Sequence, residues 1–156
     1  MKGLKHEGSS GYVWDPYIPG YPGPGIWEEV PENHYTTSKV IASISLKYIA
    51  EHSEDPAEQK LWRDTSEQIQ QYEEKNCITS SGTYAVYAGS DDTGVSAVLF
   101  PVWGYTDADT PVMLKTVEVL EKNYSRNHLY KRHRVEYDSQ KKGVFWPALC
   151  RLPNTG

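Results

Sequence analysis

The sequence predicts an all-α fold, a partial toroid of paired helices. Three observations carry this. Apolar residues recur at helical spacing over 40–49 and again over 61–72. Two stretches, Asp55-Pro56-Ala57-Glu58 and Asp107-Ala108-Asp109-Thr110-Pro111, place an acidic cap ahead of a proline. Proline is tolerated at the first helical position because the N–H it lacks would be unpaired there anyway. A helix-loop-helix rhythm then recurs along the chain, with no repeat of fixed period.

Residues 1–31 hold 6 of the 12 Gly and 5 of the 10 Pro, so they read as loop. The loop carries Trp14, Tyr17, Tyr21 and Trp27, and an aromatic-laden loop usually packs on something or binds something. From Asn33 the pattern turns helical. Thr36, Thr37 or Ser38 can cap a helix over 35–52 whose inward residues are Val40, Ile41, Ile44, Tyr48 and Ile49. A second helix over 56–75 presents Leu61, Trp62, Thr65, Ile69 and Tyr72, and the two form a hairpin. Residues 76–94 are a Ser/Thr/Gly/Asp loop with a short extended piece. A short buried helix is expected over 94–103, and another over 111–123 with Leu114, Val117 and Leu120 inward. Residues 124–142 lack a stripe, and the apolar segment 143–152 reads as the last helix. About five helices are too few to close a ring. Apolar faces left uncovered predict poor solubility or self-association.

Composition narrows the function. A net charge of -5 makes a poor general nucleic-acid binder. No apolar run approaches the ~20 residues of a membrane span. The polar residues after Met1-Lys2-Gly3-Leu4-Lys5 form no secretory segment, so a cytoplasmic location is expected. Cys77 and Cys150 are expected as reduced, buried thiols. The five His show no metal spacing, no glycine loop cradles phosphate, and no Ser-His-Asp set can be argued. No metal and no cofactor are expected. The basic run Lys131-Arg132-His133-Arg134 reads as a solvated face. Of 19 aromatics, 12 are Tyr and 5 are Trp, a supply of flat faces with polar handles that suits sugar rings as well as a core edge.

The sharpest string is Gly25-Ile26-Trp27-Glu28-Glu29-Val30, followed by His34-Tyr35-Thr36-Thr37-Ser38-Lys39-Val40. It sets two carboxyls beside an indole at a loop-to-helix junction. A carboxyl in a partly dry pocket against Trp has its charged form disfavoured, which suits a general acid. The plainer reading is a solvated Glu pair near a helix N-terminus, favoured by the helix dipole.

The string and its surroundings resemble glycoside hydrolase family 15, the glucoamylases, glucodextranases and related trehalases. Leu61-Trp62-Arg63, Val98-Leu99-Phe100-Pro101 with Trp103-Gly104-Tyr105, Thr106 to Pro111, and Tyr137 to Phe145 continue the likeness in order, from about Gly25 to Leu149. The resemblance implies an (α/α)6 six-hairpin toroid, of which this chain is a C-terminal portion. It implies an inverting hydrolase of α-glucosidic bonds with Glu28 as general acid. Glu29, Trp27 and Tyr35 are implied on the substrate, with the loop residues Tyr84 and Tyr87 as further candidates.

Two departures stand out. Where the resemblance calls for the general base, just before Gly143-Val144-Phe145, this chain has Lys142, and an ammonium cannot take a proton from water. Glu136 and Asp138 are the nearby carboxylates. The double ring of the family is also longer than this chain, so a missing N-terminal half is expected as a partner. A carbohydrate is the expected ligand, and the chain alone is expected to be inactive. The competing reading is a non-catalytic remnant or carbohydrate-binding module of the same fold.

Overall fold

The computed structural model describes residues 5–6, 12–13, 33–126, 129–131 and 146–147. Two short strands, β1 (Lys5–His6) and β2 (Tyr12–Val13), pair antiparallel. Helix α1 (Thr36–His52) and helix α2 (Pro56–Asn76) follow, then a 3-10 turn at Val95–Leu99 and helix α3 (Pro111–Asn123). Strands β3 (Ser125–Arg126), β4 (Leu129–Tyr130) and β5 (Trp146–Pro147) form a small antiparallel sheet in that order.

Helices dominate the described residues, as expected for the all-α class. The three helices fall within a residue or so of their expected bounds, and α2 begins where its cap lies. Asp55 Oδ1 accepts from Ala57 N at 2.9 Å. Glu58 does not reach back to the cap directly. It accepts from Ser53 Oγ at 3.0 Å, and that hydroxyl accepts from Asp55 N at 3.3 Å, so the serine relays the reciprocal bond. Replacing this cap should be felt locally. Asp55→Ala is expected to lower unfolding stability by about 1 kcal/mol, read as a shifted urea midpoint at unchanged slope. An unchanged midpoint would mean the serine relay alone holds the helix start.

The α1 start departs from expectation. Tyr35 is its cap residue and no side chain caps it. Thr36 N donates to Val86 O at 3.1 Å, and Ala88 N donates to His34 O at 3.0 Å. The 86–88 loop therefore takes a backbone donor that a Thr or Ser hydroxyl was expected to satisfy.

The seam between α1 and α2 is small and polar. Ser43 and Ser66 sit hydroxyl to hydroxyl at 3.1 Å, and Ser66 Oγ also donates to Ser43 O at 3.0 Å. Small side chains let the backbones approach. The buried face of α1 thus runs through Thr36, Lys39, Val40, Ser43, Leu46 and Ala50. Of the expected inward residues, Ile41, Tyr48 and Ile49 are exposed instead, as are Leu61 on α2 and Leu114 on α3. Met113 and Thr116, one residue before and two after Leu114, are buried in its place on the same helix.

The main core gathers Val40, Tyr84, Ala97, Phe100 and Met113, and a second cluster joins Val95, Leu120, Tyr124 and Tyr130. Between them the 77–94 loop is fastened by hydroxyls. Thr79, Thr83 and Thr93 link Oγ1 to Oγ1 at 2.8 and 2.9 Å, and Tyr84 N donates to Thr116 Oγ1 at 3.0 Å. Gly94 belongs where it is because a Cβ there would lie 3.0 Å from Ala85 O.

Two expected helices are corrected. The segment 94–103 is helical only over Val95–Leu99 and in the tighter 3-10 form. Pro101 has no N–H to continue the ladder, its ring would crowd the carbonyl four residues back, and Gly104 turns the chain with φ +72°. The segment 143–152 contains β5, extended and paired with β4, at Trp146–Pro147. A proline fits that edge position, where no ladder donor is required. The rest of that segment, and Cys150, lie outside the described residues.

Candidate functional site

Trp27, Glu28, Glu29 and Lys142 lie outside the described residues, as do Glu136 and Asp138. The chain that carries Glu28 enters α1 through the anchored segment His34-Tyr35-Thr36, six residues and more beyond the acid. That segment is where the described site begins.

The structure brings Tyr35 and Tyr87 together. Their rings meet edge to face, with centroids 5.8 Å apart and planes at 81°. Tyr84 belongs elsewhere. It is 7% exposed and packs edge-on against Phe100, centroids 5.1 Å apart, inside the main core. The three candidate sugar-stacking tyrosines are therefore not one platform.

Below Tyr35 lies a buried polar cluster that the sequence reading missed. Lys39 on α1 is 4% exposed and its Nζ sits 5.2 Å from the centre of the Tyr72 ring on α2. The His34 ring tilts against the same tyrosine at 5.7 Å. Glu73, one residue on, is 1% exposed. Its Oε2 accepts a hydrogen bond from the Tyr105 hydroxyl, while its buried Oε1 has no partner. Cys77, one turn further along α2, is fully buried as a free thiol, as expected for it.

Burial sets the electrostatics. It pushes the Glu73 carboxyl up to about 8, against the opposing pull of the Tyr105 hydroxyl and the Lys39 charge. It lowers Lys39 below the usual ammonium range and raises the Cys77 thiol. Burial, and then the Lys39 charge, hold His34 below the ordinary imidazole value, so its ring is neutral at neutral pH. The cluster can hold a proton on Glu73 where an exposed glutamate would have lost it. The signal available in the sequence was spacing. Thr65, Ile69 and Glu73 fall four apart on the buried face of α2, but a glutamate in a stripe is ordinarily read as its solvated edge.

On the other side of Tyr105 a cavity of about 370 Å³ opens. Gln70 and Glu74 of α2 form one wall, and Tyr84 and Tyr105 supply aromatic surface. Thr106 and Thr110, at the approach to α3, add hydroxyls, over an apolar base of Ile78 and Val112. Among the described residues, no group of three or more His, Cys, Asp and Glu could hold a metal ion, and no helix is long and apolar enough to cross a membrane.

The sequence profile of Glycosyl hydrolases family 15 matches residues 18–142, a span that includes Trp27, Glu28, Glu29 and Lys142. The chain is 24% identical over 129 residues to Trehalase 1 of Sulfolobus acidocaldarius, covering 82% of this chain. It is 26% identical over 140 residues to a trehalase of Thermoplasma volcanium, covering 80% of this chain. In each case the match spans 22% of the relative's own length. No solved structure matches. With a family profile running through Glu28 and the whole of the described helical hairpin, the chain belongs to glycosyl hydrolase family 15.

Proposed function

We propose that this chain is the acid-bearing part of an inverting glycoside hydrolase that cleaves α-glucosidic bonds. The observation that supports the reading is the family match over residues 18–142, a span that takes in Trp27-Glu28-Glu29. In this reading Glu28 gives its proton to the glycosidic oxygen as the C1–O bond breaks. Water enters C1 from the opposite face while a carboxylate base takes its proton, and the sugar leaves as the β-anomer. Acid and base stand ~6.5–9.5 Å apart to admit that water. Lys142 has no lone pair to offer at neutral pH, so the base is a carboxylate elsewhere in the whole enzyme or one of Glu136 and Asp138. Trp27, Glu29, Tyr35 and Tyr87 are assigned to the sugar.

Both curated relatives bear the name trehalase, which makes trehalose the first substrate to try, ahead of maltooligosaccharides and dextran. The α1–α2 hairpin is one helix pair of an (α/α)6 toroid. The exposed Ile41, Tyr48, Ile49 and Leu61 support this, because a ring of paired helices needs apolar outer faces for its next neighbours. The match spans about a fifth of either relative's length, so the chain by itself is expected to turn over no substrate.

The test uses two proteins. The 156-residue chain by itself is expected to release no measurable glucose from trehalose or maltooligosaccharides. The same chain grafted in place of the matching stretch of the Sulfolobus acidocaldarius relative is expected to release it, with one product glucose appearing first as the β-anomer by proton NMR. A graft that folds and binds sugar yet releases none would favour the second reading, a carbohydrate-binding remnant. Lys142 at the position where the resemblance calls for a base is what keeps that reading in view.

A further inference from the structure

The cavity beside Tyr105, about 370 Å³ in volume, has two kinds of wall. One is hydrocarbon, from Ile78, Val112 and the rings of Tyr84 and Tyr105. Those rings stand at 64° with centroids 6.4 Å apart, so they make a corner and not a flat shelf. The other wall is polar, from Gln70 and Glu74 on α2 and from Thr106 and Thr110 at the approach to α3. The volume lies at the small end of the ~300–1,000 Å³ usual for small-molecule sites, so a fitting ligand is small.

The polar wall accepts more hydrogen bonds than it donates. Glu74 is exposed, which puts its carboxylate at the rim, and a carboxylate only accepts. Gln70 lies one turn before it on the same face of α2, and its carboxamide oxygen is a second acceptor. The Thr110 hydroxyl donates to Asp107 O at 3.1 Å, which leaves its lone pairs for the cavity. The tyrosine hydroxyls are engaged too, Tyr84 with Thr106 and Tyr105 with Glu73. Among the described residues that line the cavity there is no Lys, Arg or His, so the lining offers Glu74 no opposite charge.

One ligand chemistry answers both walls. An anion is repelled by Glu74 and by a net charge of -5. A bound metal ion needs several oxygens converging on one point, whereas Glu74 is the single carboxylate among the described lining residues. A neutral molecule leaves the Glu74 charge unanswered. A protonated amine on a short hydrocarbon donates to Glu74, Gln70 and Thr110 through charge-assisted bonds. Its methylene groups cover Ile78 and Val112, and a cation is also favoured against aromatic faces.

We propose that this cavity binds a small organic cation, a primary ammonium carried on a short aliphatic chain. Each residue of the site is described, and none is among those assigned above to the sugar. The ligand class comes from the lining and owes nothing to the hydrolase reading.

The experiment titrates the full chain, labelled with nitrogen-15, with n-butylammonium chloride at pH 7 and constant ionic strength. A range up to ~50 mM covers a site with Kd of ~1–10 mM. Saturable amide shifts are expected at Gln70, Glu74, Thr106 and Thr110. 1-Butanol, the same chain without the charge, should bind at least fivefold more weakly. Tetramethylammonium, a cation with no N–H to donate, should also bind more weakly than butylammonium. Glu74→Gln should weaken butylammonium about fivefold or more, with far-UV dichroism unchanged because the altered group is exposed. Thr110→Val keeps the shape, removes one acceptor and should weaken binding by a smaller factor. The proposal is overturned by the absence of saturable shifts, by butanol or tetramethylammonium binding as tightly, or by shifts that survive Glu74→Gln at full strength. Displacement of butylammonium by glucose or trehalose at the same residues would overturn it as well, by making the cavity a sugar subsite. An inactive graft with the butylammonium shifts intact would sink the hydrolase reading and leave this site standing. An active graft without them would do the reverse.

Discussion

In the grafted enzyme, Glu28→Gln is expected to lower kcat by ~10²–10⁴-fold, the usual worth of a positioned general acid. The amide keeps the shape and one hydrogen bond but has no proton to give. Substrate binding should change far less than turnover, since the loss falls on the transition state. An equal loss in KM with kcat preserved would mean that Glu28 binds sugar and that the acid is another residue, with Glu29 the first to test. Lys142→Glu in the same graft locates the base. A gain of orders of magnitude shows that position 142 is where the fold calls for a base and that Lys142 leaves it without one. An unchanged rate places it on another carboxylate, and Glu136→Gln and Asp138→Asn then decide whether that carboxylate lies in this stretch.

The second large effect is on stability. Glu73 is protonated in the folded chain up to about 8, whereas an unperturbed glutamate loses its proton near 4.5. Between these values the folded state binds one more proton than the unfolded chain, so stability falls as pH rises. The fall approaches ~1.4 kcal/mol per pH unit where only the unfolded chain is ionised. Across the window from about pH 5 to about pH 8 it amounts to something on the order of 2–4 kcal/mol. Glu73→Gln stays neutral throughout and can still accept from Tyr105. Its urea midpoint should therefore be nearly level over that range, and it should exceed the parent chain most at the alkaline end. Parallel pH profiles for the two proteins would show that Glu73 ionises normally, with Lys39 closing on it.

What could be read from the sequence follows from what neighbouring residues decide for themselves. Asp55 and Pro56 act on their own turn, so the start of α2 was legible, and so were the ends of α1 and α3. The buried face of α1 was legible only in part, at Val40 and Ile44. Ser43 and Ala50 are inside because α2 comes close there, and Ile41, Tyr48 and Ile49 point away from it despite their apolar side chains. That choice belongs to the partner helix. Glu73 and Lys39 were invisible for a related reason, since each is buried only in the company of the other, Tyr72 and Tyr105. The 143–152 run was apolar enough for either helix or strand, and pairing with Leu129–Tyr130 made Trp146–Pro147 extended. Of the candidate sugar-binding residues, Tyr35 and Tyr87 lie ring to ring. The cavity on Gln70 and Glu74 could not be found without the fold, because its walls come from stretches separated by up to 42 positions.

The serine contact between α1 and α2 has a kinetic side. The connection between the helices is only Ser53 to Asp55, so the residues that meet across the seam are close in sequence and little loop entropy opposes their meeting. Helices and short loops form in microseconds or less. Ser43 and Ser66 then act as a ratchet tooth. Sliding either helix by one turn would part both of their bonds and leave hydroxyls buried without partners. The hairpin can thus settle into its register early, before the 77–94 loop is fastened by its threonines. Later elements meet a template already set, rather than two helices still choosing how to lie against each other.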